Sequence, residues 1–243
     1  MLAKNFGLKV NGDAFLSIAN SIDFSIIRKV QSNPIALEAL LFGQAGFLEQ
    51  HIEEPYHLEL KREYEFLKQK FLMSNRNVTP VQFFRLRPPS FPTIRLSQLG
   101  TLYHENQNLF SKVIETDALD DLYNLFSVPT SQFWESHYTF EKSSKKSKKV
   151  VSKAFVDLLL INTIIPLKFS YAKSQGKHID DSLITLIESI ASEENSIVEK
   201  FNTLKRVSTS ALQSQGLLQL KNEYCNKNKC LQCAVVSSLL HSN

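Results

Sequence analysis

The sequence is poor in the residues that interrupt helices. Only 7 of its 243 residues are glycine and 8 are proline, and the glycine share is less than half of the ~7% average. No run of six or more residues alternates between apolar and polar in the way that indicates a strand. Hydrophobic residues make up 43% of the chain, which is enough for a packed core. We therefore predict an all-α fold, an irregular bundle of about eight to ten helices with no substantial sheet.

Further absences bear on location. No basic segment followed by an apolar stretch comes after Met1, so the sequence predicts no secretory signal. The longest apolar run, Val156 to Phe169, is interrupted by Asp157 and Lys168 and falls short of the roughly 20 apolar residues that cross a membrane. We expect a buried core helix there, no membrane association, and a cytoplasmic protein with reduced thiols. The net charge of +4 is too small to indicate a nucleic-acid partner by itself.

Capping residues and apolar spacing mark the clearest helices. Asn33 followed by Pro34 predicts a helix start, and Gly43 with Gly46 would let a neighbouring helix approach closely. A second predicted helix carries one apolar stripe, formed by Leu60, Tyr64, Leu67 and Phe71.

The remaining helices follow from the same patterns, and all belong to one predicted domain, residues 1–243. We predict a long helix from Leu96 to Val113, a shorter helix capped by Asp117, and an apolar helix kinked at Pro166, because proline removes a backbone donor. Three more helices are predicted at 179–190, 192–204 and 208–224. The best internal boundary is a flexible basic loop at 142–150.

All three cysteines lie within nine residues of one another near the end of the sequence. Cys225, Cys230 and Cys233 have the spacing C-x4-C-x2-C, at which thiolates can converge on zinc or an iron–sulfur cluster. Structural zinc normally has four protein ligands. The candidates for the fourth ligand are His241, His104, His137 and a residue of a partner chain. In the alternative interpretation the thiols act as small apolar residues, and the protein holds no cofactor.

Two basic stretches are candidate anion sites. Arg85 and Arg87 would point to one side of an extended segment, and Arg95 follows near a helix start, where three guanidinium groups could hold a phosphate or carboxylate. In the alternative, Arg85 and Arg87 pair with acids such as Glu63 or Glu65.

The second basic stretch has six lysines among the twelve residues from 142 to 153. Four of them, Lys145, Lys146, Lys148 and Lys149, are the candidate contacts to nucleic-acid phosphates. The alternative is a solvated loop, because the stretch is rich in serine and has no aromatic residue for base stacking. Just before it, Phe133, Trp134, Tyr138 and Phe140 have spacings that fit the buried stripe of a helix.

Several stretches together resemble a known family. They are GLKVNGDAF from Gly7, ALLFGQAGFL from Ala39, RLRPPSFPTIRLSQL from Arg85, FWESHYTF from Phe133, and LLQLKNEYC from Leu217 followed by CLQC. The family is the uncharacterised bacterial domain of unknown function 2851, common in the Bacteroidetes. The resemblance implies no established activity. It also implies that members are longer, that this chain corresponds to their carboxy-terminal half, and that the amino-terminal half is associated with nuclease-like folds.

The sequence leads to three hypotheses about function. No phosphate-binding, dinucleotide-binding, zinc-protease or serine-hydrolase motif occurs, so we expect no catalysis by this chain alone. The first hypothesis is a helical binding or accessory domain that contacts nucleic acid or the amino-terminal half of a longer family member. The second is a metal-bearing accessory domain of a nuclease-like enzyme, and the third is a purely structural domain. The sequence does not define an oligomeric state.

Overall fold

Helices carry most of the structure, as the sequence predicts. The computed structural model describes residues 1–178 and 180–241. Its α-helices are α1 Leu2–Phe6, α2 Leu8–Asn20, α3 Phe24–Val30, α4 Pro34–Gln44, α5 Pro55–Lys70, α6 Pro92–Glu105, α7 Leu109–Glu115, α8 Leu119–Phe126, α9 Lys153–Leu159, α10 Ile165–Ser174, α11 Asp180–Ser189, α12 Ser196–Leu204, α13 Ala211–Gln219 and α14 Ala234–Leu240. The predicted start of the eleventh helix, Ile179, lies outside the described residues.

Short irregular elements complete the chain. Three 3₁₀ turns span Pro88–Ser90, Gln132–Glu135 and Cys230–Gln232, and π-helical segments span Leu160–Ile164 and Leu220–Cys225. Within the described part of the chain, the one sheet is an antiparallel pair, β1 His137–Thr139 and β2 Lys142–Ser143. Its register pairs His137 with Ser143 and Thr139 with Lys142, with an irregularity between them.

The chain divides into two compact units. The first contains Met1–Thr116 and Asp120–Ile164, and the second contains Asp117–Leu119 and Ile165–Asn243. The basic loop at 142–150 lies inside the first unit. That the whole chain acts as a single domain stays a prediction.

Helix α4 forms the centre of the first unit. The Asn33 side chain accepts hydrogen bonds from the amides of Ile35 and Ala36 at 3.0 and 3.2 Å, which confirms the predicted helix start. Every residue from Ala36 to Gln44 is buried, so the helix is enclosed on all sides. Such a helix is normally apolar all round, which makes the charged side chain of Glu38 within it an exception.

A glycine sets the contact between α4 and α5. A Cβ atom added at Gly43 would lie 2.1 Å from a ring atom of Tyr64, so only glycine permits this close approach. Gly46 instead ends the following turn with φ +81°. Helix α5 buries Leu60, Tyr64 and Leu67 as its predicted stripe. The fourth member, Phe71, lies just beyond the helix end.

The predicted long helix from Leu96 to Val113 is two helices. The break between α6 and α7 is at Asn106, whose side-chain amide donates to the Leu102 carbonyl at 3.1 Å. Asparagine competes with the backbone for such bonds, which favours a helix end. Asp117 does not cap α8, because that helix begins at Leu119. Its carboxylate instead accepts a bond from Lys168 Nζ at 2.9 Å.

The apolar segment around Pro166 is helical from Lys153 to Ser174. By length and composition only, it is long and apolar enough to cross a membrane, and 44% of its most apolar window is buried inside the protein. Pro166 has no amide hydrogen to give to the Asn162 carbonyl. A π-helical stretch precedes it, and the Asn5 side chain donates to that carbonyl at 3.4 Å. The proline thus changes the hydrogen-bonding pattern of the helix here.

The proline-rich segment between α5 and α6 lies against α2. The Asn11 side chain forms two hydrogen bonds with the backbone of Gln82, at 2.8 and 2.7 Å. Three residues before Gln82, the Thr79 amide donates to Ser17 Oγ at 3.0 Å. These bonds hold the segment that carries the exposed Arg85 and Arg87. The prediction of an extended segment is wrong at Arg85, which lies in a turn with φ +61°, so the period-two alternation of side chains does not hold there.

The second unit is built from α10 to α14. Its buried side chains include Leu183, Leu186, Ile190 and Val198. An isolated β-bridge pairs Ala191 with Ser210 and brings the start of α13 next to the end of α11. The cysteine segment Cys225–Cys233 comes after α13, in a succession of short irregular turns.

Candidate functional site

A cavity of about 470 Å³ opens in the first unit beside the β1–β2 hairpin. It mixes aromatic, apolar, hydroxyl, amide and ammonium groups. The lining residues are Ile35, Tyr56, Ser131, Gln132, Phe133, Ser136 and Lys146. Its volume falls in the range of about 300–1,000 Å³ that is usual for small-ligand sites.

A buried carboxyl group lies directly behind the cavity. The Tyr56 hydroxyl donates to Glu38 Oε2 at 2.8 Å and lies 3.2 Å from Ser131 Oγ. On the other side, Trp134 Nε1 donates to Glu38 Oε1. Helix α4 therefore supplies Glu38 and helix α5 supplies Tyr56. Trp134 lies in the 3₁₀ turn, and Ser131 comes directly before that turn.

Burial dominates the electrostatics of this cluster. Removal from water raises the pKa of Glu38 above its ordinary value, although hydrogen bonds from Tyr56, Ser131, Trp134 and Ser97 act in the opposite direction. Burial and the neighbouring Glu38 likewise raise the pKa of the Tyr56 hydroxyl. Tyr56 is therefore a neutral hydrogen-bonding group at any ordinary pH.

Stacked aromatic rings hold the wall of the cavity. The Phe133 ring stacks on Tyr56 with centroids 4.5 Å apart and on His137 with centroids 4.1 Å apart. Behind it, the Trp134 ring stacks on Phe42 with centroids 5.2 Å apart and meets the Phe140 ring with centroids 5.0 Å apart.

The prediction of a helical stripe for FWESHYTF is wrong. These residues form a 3₁₀ turn followed by β1, so the aromatic side chains converge across a sharp turn rather than along a helix.

Only part of the predicted lysine site faces solvent. Lys145, Lys146 and Lys148 are exposed, whereas Lys149 is only 8% exposed. The Lys149 ammonium group donates to the carbonyls of Trp134 and Glu135 and lies 4.3 Å from the centroid of the Tyr138 ring. Burial lowers its pKa. Lys149 thus anchors the loop, and Lys146 lies 3.4 Å from the Glu135 carboxylate.

We call residues 136–149 the lysine hairpin. Its backbone is tied at several points, because the Ser147 amide donates to the Glu135 carbonyl at 2.9 Å and the Thr130 amide donates to the Lys149 carbonyl at 3.2 Å. The same Lys149 carbonyl accepts a bond from the Gln98 side chain at 3.0 Å. The exposed lysines therefore project from a braced loop.

The three arginines do not form one group. Arg85 and Arg87 are exposed, and the Arg85 guanidinium lies 5.1 Å from the centroid of the Phe84 ring. Arg95 is 8% exposed and lies 3.7 Å from the centroid of Phe155, with one hydrogen bond of 2.9 Å to Gln98. Burial lowers its pKa to about 10. Within the described residues, no ion pair joins Arg85 or Arg87 to a carboxylate, so the predicted bracing by Glu63 or Glu65 is absent.

The tail cysteines differ in their surroundings. Cys225 and Cys230 are exposed, whereas Cys233 is buried at the start of α14. Over residues 1–178 and 180–241, no three His, Cys, Asp or Glu side chains are grouped in a way that could hold a metal ion. His241, one candidate fourth ligand, has its Nδ1 2.7 Å from the Ser237 carbonyl of its own helix. The metal site stays a prediction from spacing.

Comparison with known families identifies the chain. Residues 1–196 match the family described as Protein of unknown function (DUF2851). The chain belongs to the DUF2851 family. No curated protein and no solved structure matches it.

The DUF2851 match covers the cavity, the lysine hairpin and all three candidate arginines, whereas the cysteine tail lies beyond it. The sequence predictions missed Glu38, Tyr56 and Ser131. One signal was available for Glu38, which is the only charged residue between Asn33 and Leu48. Tyr56 and Ser131 carried no such signal, because their role depends on contacts between residues far apart in the chain.

Proposed function

We propose that this DUF2851 chain is a nucleic-acid-binding domain with no catalytic activity of its own. The observation that carries the proposal is the lysine hairpin, where Lys142, Lys145 and Lys148 are exposed. Across the described residues, none of the three pairs with a carboxylate. Unneutralised lysines on one short loop provide the electrostatic contacts that phosphate backbones require.

Bracing of the hairpin strengthens this interpretation. Because Lys149 is buried against the carbonyls of Trp134 and Glu135, the loop is held in place before any ligand arrives. A preorganised loop loses less conformational entropy on binding than a free one. Lys149 is therefore a structural support, and the contacts fall to the exposed lysines.

The arginine-bearing segment adjoins the same hairpin. The Thr93 hydroxyl donates to the Tyr138 carbonyl at 2.6 Å, and the Phe91 and Tyr138 rings meet at 6.3 Å. Close to Phe91 in sequence, Phe84 is 72% exposed and lies beside the Arg85 guanidinium. An exposed aromatic ring next to arginine suits the stacking of unpaired bases. Single-stranded nucleic acid is thus the better match.

A binding titration at several salt concentrations tests the proposal. We expect a labelled single-stranded oligonucleotide to bind at low salt. Replacing Lys142, Lys145 and Lys148 together with glutamine should reduce the slope of log affinity against log salt by about 2, since each single-strand contact contributes about 0.7. Fluorescence anisotropy gives both the affinity and the slope.

A matched control separates a local contact from overall charge. Glutamine at Lys177, Lys200 and Lys205, which are exposed residues of the second unit, removes the same three charges. The proposal requires this variant to keep the wild-type salt slope. Equal losses in the two triple variants, or no binding of the wild type at low salt, would contradict it.

Docking to another part of a longer family member is a second candidate. It is favoured by exposed apolar side chains near α3 and α5, where Phe24 is 55%, Phe66 56% and Leu72 91% exposed. If the chain corresponds to a carboxy-terminal half, a separately produced amino-terminal half should bind it in a pull-down assay. Phe66→Asp should weaken that complex, whereas the glutamine triple at the hairpin should leave it intact. A Bacteroidetes origin and a cytoplasmic location stay predictions.

A further inference from the structure

We infer that the cavity beside the lysine hairpin accepts one unstacked base of a single-stranded nucleic acid. This inference rests on the proposed nucleic-acid binding and adds to it the form of the ligand. The salt titration described above does not test this inference, because it measures phosphate contacts, whereas the cavity would contribute contacts to a base.

Lys146 links the cavity to the hairpin. It belongs to the row of exposed lysines and also lines the cavity, with its side chain 71% exposed. The Glu135 carboxylate, 3.4 Å from its ammonium group, holds it at this position. A strand whose phosphates contact the hairpin lysines therefore runs past the cavity opening, where one base can turn inward.

The wall of the cavity suits an aromatic ligand. Ile35, Tyr56 and Phe133 supply apolar and aromatic surface. Because Tyr56 and His137 stack on the two faces of the Phe133 ring, a base would pack against the edge of that ring. Proteins that recognise single strands pack unstacked bases against aromatic side chains of this kind. The volume of about 470 Å³ is large enough for a base with part of its sugar.

The floor of the cavity offers polar groups in fixed orientations. Because the Tyr56 hydroxyl gives its proton to Glu38, its oxygen is left to accept a bond from Ser131. Ser131 is itself held from behind, since its amide donates to Ser97 Oγ at 2.9 Å. Gln132 adds an amide with both donor and acceptor atoms. Glu38 is thus a positioning residue that orients the groups facing a base edge.

The chain contains its own reporter for this site. Trp134 is the single tryptophan, and its ring centroid lies 5.0 Å from that of Phe133 in the cavity wall. Trp134 itself is fully buried and does not line the cavity, so we expect its emission to report a ligand through the Phe133 ring that it contacts. No label or substitution is needed to detect occupancy.

The experiment compares two strands of equal length and charge, an oligothymidylate and the same backbone without bases. The inference predicts that both strands bind, that the oligothymidylate binds about 10-fold more tightly, and that only it changes the Trp134 emission. Gln132→Phe, which obstructs the cavity, should abolish the emission change and reduce the difference in affinity, because stacking on Phe84 is left intact. Gln107→Phe, at an exposed position outside the cavity, is the control and should retain it.

The outcomes distinguish this inference from the proposed function. If both strands bind equally and the emission is constant, the inference fails while nucleic-acid binding stands. If neither strand binds at low salt, both proposals fail. If free thymidine monophosphate gives the same emission change at similar concentration, the cavity is a small-ligand site and the strand inference is overturned. The wild-type comparison carries the test even if Gln132→Phe does not fold.

Discussion

The cluster around Trp134 and the cysteine tail show opposite relations between sequence and site. In the cluster, Glu38, Tyr56, Ser131 and Trp134 come from distant parts of the chain and meet within hydrogen-bonding distance. In the tail, three cysteines lie within nine residues, yet two are exposed and one is buried. In the described residues, convergence of distant elements brings four side chains together, whereas proximity in sequence does not group the three cysteines.

The largest expected difference between the two regions is in packing energy. Trp134 is fully buried among aromatic rings, so Trp134→Ala should lower the free energy of unfolding by about 3–5 kcal/mol. Cys233→Ala removes one buried sulfur atom from the tail and should cost about 1 kcal/mol. Urea unfolding followed by far-ultraviolet circular dichroism measures both. Similar costs for the two variants would show that the tail is packed as tightly as the cluster.

A pair of glycine substitutions sharpens the comparison further. Alanine at Gly43 would clash with the Tyr64 ring, and we expect a loss of about 1–3 kcal/mol of unfolding free energy. A Cβ atom added at Gly216, inside α13, meets nothing within 4 Å apart from the neighbouring backbone of its own helix. That change should instead stabilise the protein by about 0.5–1 kcal/mol, because alanine is the better helix former. The same denaturation assay gives the two signs, and a stabilising Gly43→Ala would refute the close packing of α4 on α5.

The buried carboxyl group gives a prediction about pH. Burial raises the pKa of Glu38 in the folded state above its ordinary value of 4.5. The folded protein then keeps a proton that the unfolded chain loses, so stability falls as pH rises from about 4.5 to the folded pKa and is constant above it. The loss is about 1.4 kcal/mol for each unit by which the pKa is raised.

Glu38→Gln tests this directly, since it removes the titrating group and keeps its shape. The free energy of unfolding of the wild type relative to Glu38→Gln should decrease with rising pH across that window. Glu65→Gln, an exposed change on α5 with the same loss of charge, is the matched control. A difference between wild type and Glu38→Gln that does not vary with pH would mean that Glu38 is not buried as described.

Local signals in the sequence were enough for the clearest helices. Asn33 and Pro34 marked the start of α4, and the stripe of Leu60, Tyr64 and Leu67 marked the buried face of α5, because caps and periodicity act within a few residues. The break at Asn106 was missed, since apolar spacing continues across it and the competing side-chain bond to Leu102 leaves no pattern.

The candidate site required contacts that periodicity does not encode. Lys149 and Arg95 looked like ligand contacts in a basic stretch, yet both are buried and bonded to the interior. A lysine run does not indicate which member turns inward, because that depends on carbonyl groups supplied by the 3₁₀ turn. Glu38 could have been selected as an isolated charge in an apolar helix. Its partners Tyr56 and Ser131 could not.

The smallest expected effect concerns the tail and decides whether its cysteines form a site. As placed, Cys225 and Cys230 should react rapidly with a thiol reagent, and the buried Cys233 should react about 10-fold more slowly. A structural metal would protect all three thiolates, so rapid reaction of two of them would mean that no metal is bound. Elemental analysis after anaerobic purification should then give less than about 0.1 equivalent of metal. Replacing the exposed Cys225 and Cys230 with serine should change the free energy of unfolding by less than about 0.5 kcal/mol. One equivalent of zinc or iron with three protected thiols would show that the cysteine motif is a functional site. In that case α14 would have to move to bring Cys233 to the ion.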